Sequence, residues 1–286
     1  GVNYVEVPPP DGLRRQVQCV WRLTAAHAAM PVQTVYPDGR CELIVHLGQP
    51  MSRYRLDEGW RVQSHCLFAA QMRSAIRLAA NGAVDCLGVR LTPVASRALL
   101  EDALPTLADE IIDLTQTQPR FAQSLIAACR AYALDSNATH LWQCIEALVV
   151  HIELDNQIEQ IVAAIDAASG DIAIAELQRA GRMSLRSLQA RFLRSVGLTA
   201  KEYARVQRLQ ATIRHLDGQA QSLAQMAADA GFADQAHATR EVVRLTGLTP
   251  GKLRRALQAE REGDATLRMA AAFVRGHARQ ATAVWI

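Results

Sequence analysis

The amino-acid sequence predicts an α+β protein with a β-rich N-terminal domain, a helical segment and an all-α C-terminal domain of two similar units. Short apolar runs between turn-forming residues fill the first hundred positions. From about Ala95 onward, apolar residues recur at helical spacing. Beyond Gly170 the chain repeats itself once, at a spacing of 50 residues. We therefore predict a β-rich domain at residues 1–100, a helical segment at 101–155, a repeated helical domain at 156–262 and a C-terminal tail at 263–286.

Two apolar runs support the strand prediction most clearly. Residues 41–47 (CELIVHL) lie between the turn formers of residues 36–39 (YPDG) and 48–50 (GQP). Residues 84–91 (VDCLGVRL) form a second run, which Thr92 and Pro93 close. Because turn formers bound both runs, we expect each of them to be a single strand.

The middle of the chain predicts three helices, at residues 121–134, 139–154 and 154–168. The last of them ends at Ser169-Gly170, a suitable C-terminal cap. Apolar residues of the second helix form one stripe, which we expect to pack against its copy in a symmetric homodimer. The alternative is that the stripe packs inside its own chain. The stripe consists of Leu141, Ile145, Leu148, Val149 and Ile152.

Each copy of the repeat predicts two helices around a short turn. These helices are expected at residues 172–180 and 185–195, and again at 222–230 and 235–245. Gly181 and its repeat equivalent Gly231 are the predicted turn residues, because glycine adopts a left-handed backbone without a Cβ clash. Ser184 and Asp234 are the predicted N-caps of the second helices. Such a pair is a helix-turn-helix, whose second helix can enter a DNA major groove.

The formal net charge of +3 is unevenly distributed along the chain. Residues 1–170 contain 13 Lys and Arg against 18 Asp and Glu, whereas residues 171–262 contain 15 against 9. A basic segment joined to an acidic one is typical of a nucleic-acid-binding domain attached to a domain of another function. We therefore expect double-stranded DNA to be the partner of the C-terminal domain.

Apolar runs and cysteine spacing exclude several classes of protein. No run reaches the roughly 18 apolar residues of a membrane span, and the N-terminus lacks a secretory signal pattern, so we expect a cytoplasmic protein without membrane contact. The six cysteines form no CxxC motif and are expected to be buried apolar residues. No zinc-ligand spacing and no nucleophile–base set is recognisable, so we predict no metal, no cofactor and no enzyme activity. The His and Cys residues considered for a metal were Cys41, His46, His65 and Cys66.

The second repeat copy contains residues 230–237 (AGFADQAH), Arg240 and residues 246–250 (TGLTP). Its motifs resemble those of the AraC/XylS family of transcription regulators, and the similarity covers about residues 158–259. The first copy and the connection between the copies contribute Ser184, Leu188, Arg191, Phe192, residues 197–199 (GLT) and residues 208–211 (RLQA). The resemblance implies a DNA-binding domain of two helix-turn-helix units, and RNA polymerase is a candidate protein partner. Val242 departs from the family's usual Phe, and Ala236 stands where a polar residue is common.

The N-terminal half resembles the cupin-like sensor β-barrel of some of these regulators, through residues 36–39 with Glu42 and Leu43, and residues 87–90 (LGVR) with Pro93. This resemblance implies a barrel and a helical dimerisation segment but names no ligand. Four aromatic residues either line a pocket for a small organic effector or belong to an ordinary core: Trp21, Tyr36, Tyr54 and Trp60. Two alternatives stay open, namely a dimerisation or protein-contact module without ligand, and a cupin-type enzyme fused to the DNA-binding domain.

The second helices of the two units supply the candidate DNA-binding residues. Apolar spacing predicts that their core-facing residues are Leu185, Leu188 and Phe192 in the first unit and Ala238, Val242 and Leu245 in the second. On the opposite faces, the predicted base-reading residues are Arg186, Gln189 and Arg240. The predicted phosphate contacts are Ser184, Arg194, His237, Thr239 and Arg244. For each Arg the alternative is an ordinary solvated helix face.

A helix of about residues 200–216 is predicted to connect the two units. Such a helix spans roughly 25 Å, so it can act as a rigid spacer that holds two recognition helices near one DNA turn, about 34 Å, apart. Its apolar stripe consists of Tyr203, Val206, Leu209, Ile213 and Leu216.

Overall fold

The computed structural model describes residues 1–27, 30–55, 57–218 and 221–262. The predicted tail at residues 263–286 lies outside the described residues. Within the described part, an N-terminal domain of antiparallel sheets is followed by a helical C-terminal domain, so the predicted α+β class is confirmed. No helix in this part of the chain combines the length and the apolar character that crossing a membrane requires.

The strands form two antiparallel sheets. They are β1 (Val2–Val7), β2 (Val17–Ala25), β3 (Gln33–Val35), β4 (Glu42–His46), β5 (Ser52–Arg55), β6 (Gly59–Val62), β7 (Cys66–Ala69), β8 (Ile76–Ala79), β9 (Val84–Leu91) and β10 (Ile111–Asp113). The larger sheet has the order β1-β2-β9-β4-β7-β10 and the smaller one the order β3-β8-β5-β6. The two clearest predicted runs are therefore confirmed as β4 and β9, which are neighbours in the larger sheet.

Side chains from both sheets pack into a shared interior. Trp21 and Cys86 of the larger sheet join Leu78 of the smaller sheet, and Met51 just before β5, in a single buried cluster. The opposite face of the larger sheet is covered by α1 (Leu114–Thr117), α2 (Pro119–Asp135) and α3 (Thr139–Val149).

The predicted dimer stripe lies inside the chain, so its assignment as a subunit interface was wrong. Leu141, Ile145 and Val149 are fully buried among residues of the larger sheet and α2. Leu148 and Ile152 are half-buried against the same core. The helix shows an apolar face because it must cover a sheet, and helical periodicity is the same whether the partner is a sheet or a second chain. This stripe therefore no longer supports the predicted homodimer, which stays a prediction.

The C-terminal domain consists of seven helices among the described residues. They are α4 (Asn156–Ala167), α5 (Ile174–Gly181), α6 (Leu185–Val196), α7 (Ala200–Gly218), α8 (Leu223–Asp229), α9 (Gln235–Thr246) and α10 (Pro250–Glu262). The predicted helix pairs correspond to α5–α6 and α8–α9, and the predicted connecting helix is α7. All five residues of its predicted stripe are buried.

The long helix α7 belongs to the cores of both units. Tyr203 and Val206 pack with residues of α4, α5 and α6. Leu209 and Ile213, two and three turns further along, pack with residues of α8, α9 and α10. Because one continuous helix contributes to both cores, the two units cannot separate without exposing apolar surface.

Candidate nucleic-acid interface

Helix α6 has a capping residue at each end, Ser184 at its N-terminus and Gly197 at its C-terminus. The Ser184 hydroxyl oxygen accepts a hydrogen bond from the Ser187 N–H at 3.3 Å, which caps the helix start. Gly197 ends the helix in a left-handed conformation with φ of +84°. Leu188 and Phe192 are fully buried, as predicted. These contacts fix which face of α6 stays exposed.

The predicted core residue Leu185 is instead 42% exposed, so that prediction was wrong. It is the first residue of α6, one position after the cap, where the helix has not yet reached the core of its unit. Arg186 and Gln189 are exposed, as is Arg194 in the last turn. The exposed start of α6 thus carries an apolar residue beside the two predicted base-reading side chains.

Helix α9 repeats this construction in the second unit. The Asp234 carboxylate accepts a hydrogen bond from the His237 N–H at 2.6 Å, and Gly247 ends the helix. The predicted core residues Ala238, Val242 and Leu245 are all buried. Arg240 and Arg244 are exposed on the other side of the helix.

Two predicted phosphate contacts on α9 already have partners within the chain. The ring of His237 stands edge-on to Phe232, and its Nδ1 accepts a hydrogen bond from the Ala233 N–H at 3.4 Å. That bond leaves Nε2 as the nitrogen that can donate to a phosphate. The Thr239 hydroxyl donates to the Gln235 carbonyl at 2.9 Å, so it must rotate before it can donate elsewhere.

Among the described residues, the exposed arginines of the two helices form no ion pair with an acidic side chain. Helix α6 contains no Asp or Glu. Helix α9 contains Glu241 alone, and this carboxylate forms an ion pair with Arg205 of α7 at 3.4 Å. Since an uncompensated carboxylate would repel phosphate, both helices present the electrostatic surface that DNA requires.

The turns before α6 and α9 differ, although the repeat predicts the same turn. Gly231 is left-handed, with φ of +76°, but in the first unit the left-handed residue is Arg182, with φ of +51°. The prediction that Gly181 is the left-handed turn residue was therefore wrong. Gly181 is the last residue of α5, and a Cβ there would lie 2.5 Å from Cδ1 of Ile161. Glycine at this position leaves room for the Ile161 side chain of α4, which would have to shift if a Cβ were added.

An ion pair holds α6 against the helix that precedes its unit. Arg191 donates from Nε and Nη2 to the two carboxylate oxygens of Asp155, at 2.8 and 2.7 Å. Asp155 also caps α4 by accepting from the N–H groups of Gln157 and Ile158. Burial acts to raise the pKa of Asp155, but these hydrogen bonds outweigh it and the net pKa lies below the usual value. Asp155 thus keeps its charge and fixes the orientation of α6.

A second feature lies in the N-terminal domain, where the two sheets enclose a cavity of about 70 Å³. Of the four aromatic residues predicted for a pocket, Trp21 and Tyr36 line it. Tyr54 and Trp60 lie elsewhere, in a tilted ring contact with centroids 5.3 Å apart. They hold the Arg77 guanidinium, which is 4.2 Å from the Tyr54 centroid.

The cavity wall also contains charged residues that were not predicted to line a pocket. Arg90 is 2% exposed and donates from Nε to a Glu42 oxygen at 2.8 Å. The Trp21 indole N–H donates to the same oxygen at 3.1 Å. Glu42 is the one carboxylate of β4, a signal that could have marked it as facing inward, whereas Arg90 shares β9 with Asp85. Asp38 and Arg40 complete the charged part of the wall.

The His and Cys residues of this domain do not gather into a metal site. Among the residues that the structure describes, no three His, Cys, Asp or Glu side chains are placed to hold one ion. Burial lowers the pKa of His46 to about 4, so its ring is neutral at physiological pH. His46 donates one hydrogen bond from Nε2 to the side-chain oxygen of Gln63, at 3.0 Å.

Two family models match the chain. A model described as a helix-turn-helix domain matches residues 177–256, and one described as a domain of unknown function (DUF6597) matches residues 5–113. The first match begins within α5 and covers α6, α7, α8 and α9 in full. No curated protein sequence matches the chain.

Among solved structures, the chain is similar to ToxT from Vibrio cholerae, with 11% identity and a TM-score of 0.44 over 89% of this chain and 97% of ToxT. An unsaturated-fatty-acid-bound form of that protein gives 11% identity and a TM-score of 0.42, over 89% of this chain and 94% of ToxT. The AraC-like transcriptional activator CuxR gives 13% identity and a TM-score of 0.27, over 73% of this chain and 85% of CuxR. Scores this low carry no argument about what the present chain binds.

Proposed function

We propose that this chain is a DNA-binding transcription regulator of the AraC family, and the helix-turn-helix model that matches residues 177–256 supports this proposal. In this proposal α6 and α9 enter two successive major grooves on one face of the duplex. The observation that carries it is the pair of capped helices whose exposed arginines form no ion pair within the described part of the chain.

The base-reading residues of the proposal are Arg186 and Gln189 on α6 and Arg240 on α9. All three are exposed, and none forms a hydrogen bond or ion pair within the described part of the chain. An Arg in a groove donates to both acceptors of guanine, and Gln can pair with adenine in the same bidentate way. Phosphate contacts are assigned to Ser184, Arg194, His237, Thr239 and Arg244, which lie at the ends and flanks of the two helices.

Replacement of Arg244 should reveal a phosphate contact through salt dependence. In the wild type, log K for the preferred DNA should fall linearly with log salt concentration. We expect Arg244→Ala to reduce the magnitude of that slope by about one, while the preferred sequence stays the same. Titrations of labelled DNA at several salt concentrations measure the slope. A changed sequence preference would instead place Arg244 among the base-reading residues.

Control by a ligand is the second part of the proposal, and the cavity between the sheets is its site. The volume of about 70 Å³ is roughly half of the 150 Å³ that holds benzene in an engineered protein core. An effector of larger size must therefore displace part of the wall. The wall includes Tyr36, Asp38 and Arg40, which belong to one segment, residues 36–40.

Segment 36–40 also binds the connecting helix α7. The side-chain amides of Gln207 and Gln210 donate to the carbonyls of Asp38 and Pro37, the first at 3.1 Å. Arg40 donates to the Tyr203 hydroxyl at 3.1 Å, and that hydroxyl donates to Asp166 at 2.8 Å. Displacement of this segment by a ligand would therefore act on the helix that spaces the two DNA-reading units.

A further contact joins the N-terminal domain directly to α9. The Ala75 N–H donates to the Leu245 carbonyl at 2.8 Å, at the last turn of that helix. Arg73 lies two residues earlier and forms an ion pair with Glu202 of α7 at 2.9 Å. The N-terminal domain thus touches both the spacer helix and a proposed recognition helix.

Thermal unfolding in the presence of fractionated metabolite extracts tests ligand control. A ligand that binds only the folded state stabilises it by about 2.7 kcal/mol at a hundredfold excess over Kd. A fraction that raises Tm and changes DNA affinity would support a sensor. If no fraction raises Tm while DNA binding is intact, the N-terminal domain is a contact module and this part of the proposal fails.

The double variant Gln207→Ala, Gln210→Ala should separate ligand binding from the effect of the ligand on DNA affinity. We expect the active fraction still to raise Tm, because neither glutamine is among the cavity-lining residues. The same fraction should no longer change DNA affinity, because segment 36–40 loses both amide contacts with α7. Gln258→Ala on α10 is the matched control, since this exposed side chain lies outside the domain contact. If the active fraction still changes the DNA affinity of the double variant, the ligand must act on the DNA-binding domain through other contacts.

A further inference from the structure

One side chain of α7 contacts both DNA-reading units. The Arg208 Nη2 donates to the Gly170 carbonyl at 3.1 Å and to the Asp171 carboxylate at 3.2 Å, both in the turn between α4 and α5. Its guanidinium carbon lies 5.4 Å from the ring centroid of Phe232, in the turn between α8 and α9. Arg208 therefore joins a loop of the first unit to a loop of the second.

The two loops also touch each other. A Cβ at Gly231 would lie 2.4 Å from Oδ2 of Asp171, closer than any real contact. Glycine is thus required both by the left-handed φ of this residue and by the approach of the Asp171 side chain. We call Asp171, Arg208, Gly231 and Phe232 the junction.

The junction adds a constraint that α7 does not supply. A continuous helix fixes the distance between the units, but each unit packs on it through its own apolar cluster. The angle of one unit relative to the other, measured about the axis of α7, depends on contacts that bridge the two units. The junction is such a bridge, whereas the ion pair between Arg205 and Glu241, one turn before Arg208, joins α7 only to α9 of the second unit.

We propose that Arg208 is a positioning residue that sets the spacing and phase of the two DNA half-sites. This inference rests on the proposed function, in which α6 and α9 read two grooves. One additional base pair between half-sites rotates the second by about 34° around the duplex and moves it by about 3.4 Å. A protein whose units are locked at one angle can tolerate this only by deforming itself or the DNA.

The test compares Arg208→Ala with the wild type on DNA of varied spacing. Selection from randomised DNA first identifies the bipartite site of the wild type, and probes are then made with one base pair inserted or removed between its halves. We expect the wild type to lose affinity on these probes by on the order of tenfold or more, because the DNA must be deformed. Arg208→Ala should lose much less, while its base preference within each half stays unchanged. Arg255→Ala is the control, because it removes an exposed positive charge of α10 outside the junction.

Each outcome decides the proposal. If Arg208→Ala discriminates spacing as sharply as the wild type, Arg208 does not set the phase and the proposal is overturned. A general loss of affinity with unchanged relative spacing preference would also overturn it, since it indicates only a structural or charge effect. If Arg208→Ala fails to fold, Asp171→Ala decides instead: it removes the carboxylate that Arg208 binds in the first unit, so the preferred spacing should shift or broaden. A wild type that selects no bipartite site would instead refute the proposed function.

Discussion

Arg240→Ala is expected to weaken binding to the preferred DNA site by about 1–3 kcal/mol and to relax base choice in one half of it. The structure places Arg240 on the exposed face of α9, opposite the buried residues Ala238 and Val242. The side chain has no partner among the described residues, so its removal leaves the fold intact. The whole loss should therefore appear in DNA binding and not in the free energy of unfolding.

Arg186→Ala should produce the same effect in the other half, about ten base pairs away. The two arginines lie on different helices and share no partner, so the double variant should lose close to the sum of the single effects. Their positions along the helices differ, since Arg186 is equivalent to Ala236 in the repeat and Arg240 to Ala190. We therefore expect the two half-sites to differ in which base pair each arginine specifies.

Selection from randomised DNA with each variant measures both effects, and Arg255→Ala again controls for the loss of one charge. If both substitutions relaxed the same base pairs, the two-groove arrangement would be wrong. If Arg186→Ala changed nothing, the first unit would be a structural support and the second alone would set specificity.

The repeat made most of the C-terminal domain predictable from sequence. The signals are local: a glycine in the turn, a capping residue, and apolar positions three and four residues apart. Their presence in a second copy supports the same interpretation of both copies. The stripe from Tyr203 to Leu216 is buried at every predicted position, because one face of a long helix can be read from spacing alone. Local signals therefore predicted where the helices are and which faces they bury.

Partners of an apolar face could not be predicted in the same way. The stripe on α3 packs on the sheet of its own chain, and Leu185 has the right spacing but lies before the core begins. Gly181 was mispredicted for the same reason. A glycine can adopt a left-handed turn conformation or make room for a neighbouring helix, and the sequence does not distinguish the two. Each error concerns tertiary contact, which periodicity does not encode.

Long-range polar contacts were missed for a related reason. The carbonyls of Pro37 and Asp38 meet the amides of Gln210 and Gln207, about 170 residues later in the chain. A glutamine on a helix is ordinarily exposed, yet both of these are buried. The candidate base-reading residues could be proposed from sequence because they point outward, whereas the contacts that would control them required the structure.

Arg90→Met should cause the largest loss of stability, about 3–5 kcal/mol, which is typical of removing one partner from a buried ion pair. Arg90 is 2% exposed, and its guanidinium binds Glu42 at 2.8 Å and lies 3.5 Å from Glu6. Met fills a similar volume but leaves the Glu42 carboxylate buried with only the Trp21 N–H as a described hydrogen-bond donor. Urea unfolding at neutral pH measures the difference in the free energy of unfolding.

The companion double variant Glu42→Gln, Arg90→Met distinguishes two causes of the lost stability: the unpaired charge of Glu42 and the lost packing of the Arg90 side chain. Gln keeps the shape of Glu and an oxygen for the Trp21 N–H, so the double variant should recover most of the lost stability. Recovery of none of it would assign the loss to packing of the Arg90 side chain.

The pH dependence of Arg90→Met provides an independent check with a defined sign. Burial raises the pKa of Glu42, and Arg90 acts in the opposite direction. Without Arg90 the folded-state pKa must rise further above the unfolded value of about 4.3. A carboxyl with a raised folded-state pKa is penalised only when the pH is high enough to ionise it in the unfolded chain. The deficit of Arg90→Met relative to wild type should therefore shrink as pH falls from 7 toward 4, and a deficit constant across that range would show that the buried Glu42 charge is not its cause.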